Sequence, residues 1–141
     1  MELLIALLMF LTVMTASGTH AAPLEPQAVL KTYKAGGKSC KQIEQDHERM
    51  RGQHELMFTA WKEKSLPLLT EDKELLTSCN DALLALQEIV EKQEKRDDSS
   101  PSPEVLTADY EKTRNLIGTI ITRHKILRDK HERIFHEMMG H

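Results

Sequence analysis

Aromatic side chains are scarce in this chain: its 141 residues include one Trp, two Tyr and three Phe. The core must therefore come from Leu, Ile and Met, and we expect it to be modest in size. A phosphate-binding glycine loop is also lacking. The stretch Gly36-Gly37-Lys38-Ser39 ends like one, but the motif needs a further Gly five residues before Gly37, where Thr32 stands.

An excess of positive charge is missing as well. The chain carries 19 Lys and Arg against 22 Asp and Glu, for a net charge of −3 with neutral His. This balance gives no basic footprint, so we expect no nucleic-acid partner. No Asn-x-Ser/Thr triplet is present, which removes any N-glycosylation acceptor.

Catalytic patterns are absent too. No nucleophile, base and orienting group can be assembled from spacing. The sequence His131-Glu132 is followed by His136, one residue too late for the zinc-protease motif HExxH. We therefore expect a protein that is not an enzyme and carries no cofactor.

Long apolar runs occur only at the start. The run from Leu3 to Val13 is too short for a membrane-spanning helix, which needs about 20 apolar residues. Small residues follow it, so residues 1–22 are predicted to be a secretory signal peptide cleaved between 18 and 22, although Glu2 replaces the usual positive charge. The rest of the chain has a length that suits one secreted, extracellular domain.

One pattern occurs twice. The stretch Ile43–Phe58 aligns with Ile120–Phe135 at a constant offset of 77 residues, and the match includes two histidines, an Arg, a Glu and the terminal Phe. Both copies keep their apolar or semi-apolar residues at alternating steps of three and four, which is typical of helices packed through heptads. The repeat therefore predicts two copies of one helix.

Glycine, proline and helix-capping residues set the predicted helix boundaries. Gly36-Gly37 is expected to break the chain, Pro67 to end the first long helix, and Ser102 to cap the last. The expected elements are an extended or short helical segment over residues 23–38 and helices over about 39–64, 70–95 and 103–139. The predicted fold class is all-α: a small antiparallel three-helix bundle with coiled-coil-like heptad packing, with or without a short N-terminal fourth helix.

The two cysteines predict a disulfide, Cys40–Cys79. These helix boundaries set the two residues ~24 Å apart along the axis, whereas a disulfide tolerates a Cα separation of at most about 7 Å. An intramolecular bond is favoured, which requires a bend at Gly52, detachment of the first turns or sliding of the helices. Pairing between two chains is the alternative.

The repeat also predicts histidine pairs. If the first and third helices run parallel at the offset of 77, His47 comes near His124 and His54 comes near His131. Such residues often do no more than fix the register of a bundle. A sharper hypothesis is a pH switch, because burial depresses the pKa of a neutral His and acid would then loosen the bundle.

The same four histidines are weak candidates for a metal or haem site. Histidines seven residues apart on one helix are about 10 Å apart, so each layer offers only one nitrogen ligand per helix. Zinc needs four ligands that converge. A metal or haem binder is therefore the third functional hypothesis.

Two other classes of function rank ahead of the metal or haem hypothesis. The first is a secreted helical bundle that acts through an extracellular protein partner or through self-association, with acid response through the paired histidines. The alternative is an extracellular carrier of an apolar ligand or lipid, apolipoprotein-like in mode, with methionines as an adaptable lining. The methionines concerned are Met50, Met57, Met138 and Met139.

Overall fold

The computed structural model describes residues 23–95 and 99–140, and these form a bundle of three helices. Helix α1 spans Pro26–Glu55, α2 spans Thr59–Glu94 and α3 spans Pro103–Met138. Each helix packs against the other two. The predicted all-α three-helix bundle is thus confirmed, while the predicted signal peptide lies outside the described residues.

Helix α1 begins at Pro26, whose fixed backbone angle and missing N–H suit a first helical position. It then continues through Gly36 and Gly37 without a break. Gly36 is buried, and a Cβ at its position would lie 3.0 Å from the Leu83 side chain of α2. The predicted break, the separate segment 23–38 and a fourth helix were wrong, because packing against α2 overrides the weak helix propensity of glycine.

The first hairpin turn lies at residues 56–58 and not at Pro67. The backbone N–H groups of Leu56 and Met57 donate to the carbonyls of Gln53 and His54, and Phe58 then takes an extended backbone before α2 begins. Pro67 lies inside α2. The predicted boundaries at 64 and 70 were therefore wrong, since the buried seam on either side of Pro67 offsets the loss of one backbone hydrogen bond.

Helices α1 and α2 keep one antiparallel register along the bundle. Three cross-helix pairs follow each other in steps of seven residues on both helices: His54 with Ser65, His47 with Asp72 and Cys40 with Cys79. The cysteines form a disulfide at a Cα–Cα distance of 5.7 Å. The intramolecular bond is confirmed, and the expected gap came from placing the turn too late.

Helix α3 begins as the sequence predicts, with the Ser102 hydroxyl accepting a hydrogen bond from the N–H of Val105. It runs parallel to α1. Three hydrogen-bonded pairs fix this alignment, and each joins residues separated by 78 positions: Thr32 with Tyr110, Asp46 with His124, and Gln53 with His131.

The apolar core fills the half of the bundle away from the first turn. One of its two clusters contains the disulfide, and the other lies farther from the turn. None of the described helices is long and apolar enough to cross a membrane. The buried members are Val29, Cys40, Ile43, Cys79, Ala82, Leu86, Ile89, Tyr110, Ile117 and Ile120. The half nearer the turn is different, because polar side chains occupy the seam there.

Candidate functional site

Two polar layers cross the bundle between the disulfide and the first turn, and all their members are buried except Gln53 and His54, which are partly exposed. In the aspartate layer, made of Asp46, His47, Asp72 and His124, the two histidines meet at the Asp72 carboxylate. In the serine layer, made of Gln53, His54, Ser65 and His131, the two histidines meet at the Ser65 hydroxyl. The structure therefore brings together both histidine pairs that the repeat aligns, each through a residue of α2.

Asp72 is the centre of the aspartate layer. Its side chain is fully buried, and its two carboxylate oxygens accept one hydrogen bond from each neighbouring helix. His47 Nδ1 lies 2.7 Å from Oδ2, and His124 Nδ1 lies 2.5 Å from Oδ1. A buried carboxylate is stable only when its oxygens are paired in this way.

His124 bridges two carboxylates. Its other ring nitrogen, Nε2, lies 2.9 Å from Asp46 Oδ2. Both nitrogens lie within hydrogen-bond distance of a carboxylate, which favours the protonated, cationic ring. Burial lowers the pKa of His124, but its hydrogen bonds to Asp72 and Asp46 outweigh burial and raise the pKa above its ordinary value. The expectation of a depressed pKa was wrong for this residue, because the sequence analysis placed no acid beside it.

Asp46 completes the charge balance at the edge of the layer. Gln42 donates to its Oδ1 at 3.0 Å, and Arg128 lies 3.5 Å from its Oδ2. Burial raises the pKa of Asp46, but the hydrogen bonds from His124 and Gln42 and the charge of Arg128 bring that pKa below its ordinary value. Asp46 and His124 are therefore held as an ion pair.

The serine layer contains no carboxylate. Ser65 and His131 are both fully buried. The Ser65 hydroxyl lies 2.7 Å from His131 Nε2 and 2.9 Å from His54 Nδ1, and His131 Nδ1 lies 3.2 Å from the Gln53 carbonyl oxygen. A single hydroxyl thus joins α1, α2 and α3.

The Gln53 amide sets the direction of this hydrogen-bond chain. Its NH₂ group donates to Glu132, so its oxygen accepts from His131 Nδ1–H. His131 Nε2 is then left to accept from the Ser65 hydroxyl, whose oxygen accepts in turn from His54 Nδ1–H. Every member is satisfied when both imidazoles are neutral.

Burial lowers the pKa of His131 from 6.5 to about 4. The charge of Glu132 works against this shift, while the neighbouring His54 and the more distant Arg49 add to it. A depressed pKa is the expectation for a buried neutral histidine, and His131 meets that expectation. The two layers therefore shift the pKa values of their α3 histidines in opposite directions, upward for His124 and downward for His131.

Sequence reasoning missed the α2 partners. With the predicted turn at residues 65–69, Ser65 falls between the first two helices and Asp72 at the start of the second, so neither is expected in the seam. A signal for both was present: Ser65, Asp72 and Cys79 follow each other at steps of seven residues, so one seam runs through all three.

Ser65, His131 and Gln53 resemble a nucleophile, base and orienting group in their hydrogen-bond order. However, Ser65 and His131 have no exposed surface, so a substrate has no route to the hydroxyl. Among residues 23–95 and 99–140, no three His, Cys, Asp or Glu side chains are placed to hold a metal ion. What these layers can do chemically is hold protons and fix the helix register.

The methionines and surface grooves bear on the carrier hypothesis. Met50 and Met57 are buried between the helices, whereas Met139 is 56% exposed. A groove between α2 and α3 near the turn, lined by Lys64 and Arg133, is open to solvent and not the enclosed apolar cavity that a ligand carrier needs.

In comparisons with known proteins, no family model matches the chain, and no curated protein or solved structure matches it significantly.

Proposed function

We propose that the protein is secreted and acts without catalysis, as a helical-bundle ligand or effector that contacts an extracellular protein through the turn end of the bundle. The turn end comprises residues 56–61 together with the end of α3. Leu56 and Phe58 lie in the turn itself and are 70% and 72% exposed. This exposure carries the proposal, because large apolar groups grouped in the open commonly mark a contact surface.

Neighbouring residues extend this surface. Met139, at the end of α3, is also exposed, and Trp61 is half-buried at the start of α2. The polar side chains of the aspartate and serine layers face one another inside the seam, so they do not offer a site to a partner at the surface. The exposed apolar side chains at the turn end therefore support recognition of a partner at the surface.

Binding of the labelled, disulfide-bonded protein to cells of its source tests this proposal. We expect saturable binding that unlabelled protein displaces, weakened at least about tenfold by the double variant Leu56→Ser/Phe58→Ser, since apolar anchors dominate interfaces. Leu84→Ser is the matched control, because Leu84 is 57% exposed on the outer face of α2. Equal loss in the control, or binding that unlabelled protein does not displace, would contradict the proposal.

Secretion has its own test. The full chain expressed in secreting cells should appear in the medium with a new N-terminus created by cleavage between residues 18 and 22, which Edman sequencing or intact mass identifies. An uncleaved chain retained inside the cells would contradict this part of the proposal.

A lipid surface is the second candidate partner, and Trp61 favours it. The Lys64 ammonium lies 4.6 Å from the centre of the Trp61 ring, and Trp and Lys are residues that sit well at a membrane interface. Flotation with anionic liposomes at about pH 7.4 and 5.5 decides between the two. Flotation that Leu56→Ser/Phe58→Ser abolishes, without saturable cell binding, would favour the lipid.

A further inference from the structure

The serine layer is the last polar layer before the turn, and it differs from the aspartate layer in what its imidazoles face. His124 has a carboxylate at each nitrogen, whereas His131 has a hydroxyl and an amide oxygen. The titratable and charged groups around His131 are His54 and Arg49 on α1, Asp72 on α2 and Glu132 on α3.

Ser65 has one hydrogen to share between two imidazoles. A proton added at His131 Nε2 turns this nitrogen from an acceptor into a second donor to the Ser65 oxygen, so the hydroxyl hydrogen loses the acceptor that it has in the neutral layer. His54 can accept only if its own hydrogen moves to the other ring nitrogen. A further proton on His54 removes the second imidazole acceptor and sets two cations side by side across one hydroxyl.

We propose that the serine layer is the proton-binding site of this protein, and that acid opens the bundle from the turn end while the aspartate layer and the disulfide keep the other half closed. The inference rests on the proposed function for its purpose, because it regulates the same apolar end of the molecule.

The position of the layer makes the opening local. Between this layer and the end of the bundle, among residues 55–64 and 132–140, Met57 alone is buried. On the other side of the layer lie the buried Met50 and Leu127, then the aspartate layer, then Cys40–Cys79. Separation of the turn end exposes Met57 beside Leu56 and Phe58, which enlarges the apolar surface.

The sign of the pH dependence follows from the direction of each shift. The pKa of His131 is lowered to about 4, so the opened state binds the proton first and the closed state loses stability as the pH falls below 6.5. This shift corresponds to a roughly 30-fold rise in the opening constant between about pH 7.5 and pH 5. The pKa of His124 is shifted the other way, above its ordinary value, so acid does not weaken the aspartate layer through this residue.

Nuclear magnetic resonance of the wild-type protein tests the site directly. In the closed state the His131 imidazole should remain neutral down to about pH 5. Amide hydrogen exchange, corrected for its intrinsic pH dependence, should show protection falling by about 30-fold at residues 53–65 and 131–138 between about pH 7.5 and pH 5. Residues around Cys40 and Cys79 should stay protected. Titration of His131 near 6.5 or above, or equal loss of protection along the whole bundle, would overturn the proposal.

A variant pair adds the energetic test. His131→Gln keeps a hydrogen-bonding side chain but removes the titrating group, so about 30-fold of the acid-driven opening should disappear. His136→Gln is the control for loss of a histidine on the same helix: that side chain is 57% exposed and contacts Glu132 at 3.3 Å, outside the serine layer, so most of the pH dependence should remain. An unchanged pH dependence of opening in His131→Gln would contradict the proposal. If that variant fails to fold, the wild-type titration and exchange measurements still test it. None of these measurements involves a partner, so their failure is distinguishable from failure of the cell-binding test.

Discussion

Asp72 shows how much one buried residue can organise. Its carboxylate accepts from α1 and α3 and leaves no oxygen unpaired. The sequence could indicate that His47 and His124 come close, because the repeat aligns them, but it could not indicate their charge. The charge of each ring depends on which α2 atoms face it across the seam. Those atoms could be identified only once the position of the turn between α1 and α2 was known.

Replacing Asp72 with Asn should therefore destabilise the bundle strongly. The neutral amide can accept from only one of the two imidazoles and no longer balances the charge of His124. We expect the free energy of unfolding at about pH 7 to fall by about 3 kcal/mol in urea denaturation.

Asp81→Asn is the matched control for this variant, since Asp81 is an exposed residue of the same helix. It should change stability by less than about 0.5 kcal/mol. Equal stability of the two variants would show that the Asp72 carboxylate does not hold the layer.

His124 makes a pH-dependent contribution of opposite sign to that of His131. The pKa of His124 is raised in the folded state, so its stabilisation is full below 6.5 and is lost as the pH rises through the folded value. Wild type should exceed His124→Gln in thermal stability by more at about pH 6 than at about pH 9. A difference that grows toward alkaline pH would mean that His124 is neutral in the seam.

At the scale of helices, local propensity predicted the ends poorly where packing was strong. Ser102, with Pro103 after it, gave the start of α3 correctly, because capping is a local interaction. Gly36-Gly37 and Pro67 were misleading, because each lies in a helix whose seam continues past it. Heptad continuity through Ser65 and Asp72 was the better guide, and it requires that polar residues be accepted as seam positions.

The paired glycines of α1 allow a matched measurement of this effect. A Cβ at Gly37 meets nothing within 4 Å, whereas a Cβ at Gly36 lies 3.0 Å from Leu83 and 3.4 Å from Ile117. Gly37→Ala should raise the free energy of unfolding by about 0.5–1 kcal/mol through helix propensity.

Gly36→Ala gains the same propensity but crowds the seam, so its melting temperature should lie below that of Gly37→Ala. Differential scanning calorimetry on both variants checks this. The reverse order would show that Leu83 moves aside without cost and that the close approach at Gly36 is unimportant.

At the scale of the whole molecule, the disulfide joins the middle of α1 to the middle of α2, and both of its sulfur-bearing residues are buried. It closes a loop with a sequence separation of 39 residues. Reduction of the wild-type protein should lower the free energy of unfolding in guanidinium chloride by ~4 kcal/mol, chiefly because the unfolded chain gains freedom.

The double variant Cys40→Ala/Cys79→Ala provides the control for reduction. It should be less stable than the oxidised wild type and should give the same denaturation midpoint with and without reductant. Sensitivity of this variant to reductant would assign the effect to something other than the bond.

The common step of seven residues has a consequence for how the chain can change in length. Since His54, His47 and Cys40 on α1 and Ser65, Asp72 and Cys79 on α2 advance together, an insertion of one residue in a single helix would rotate every later side chain out of its layer. Insertion or deletion of one heptad in all three helices at once preserves every remaining contact. Changes in length that keep the layers intact therefore come in whole heptads, added to or removed from all three helices together.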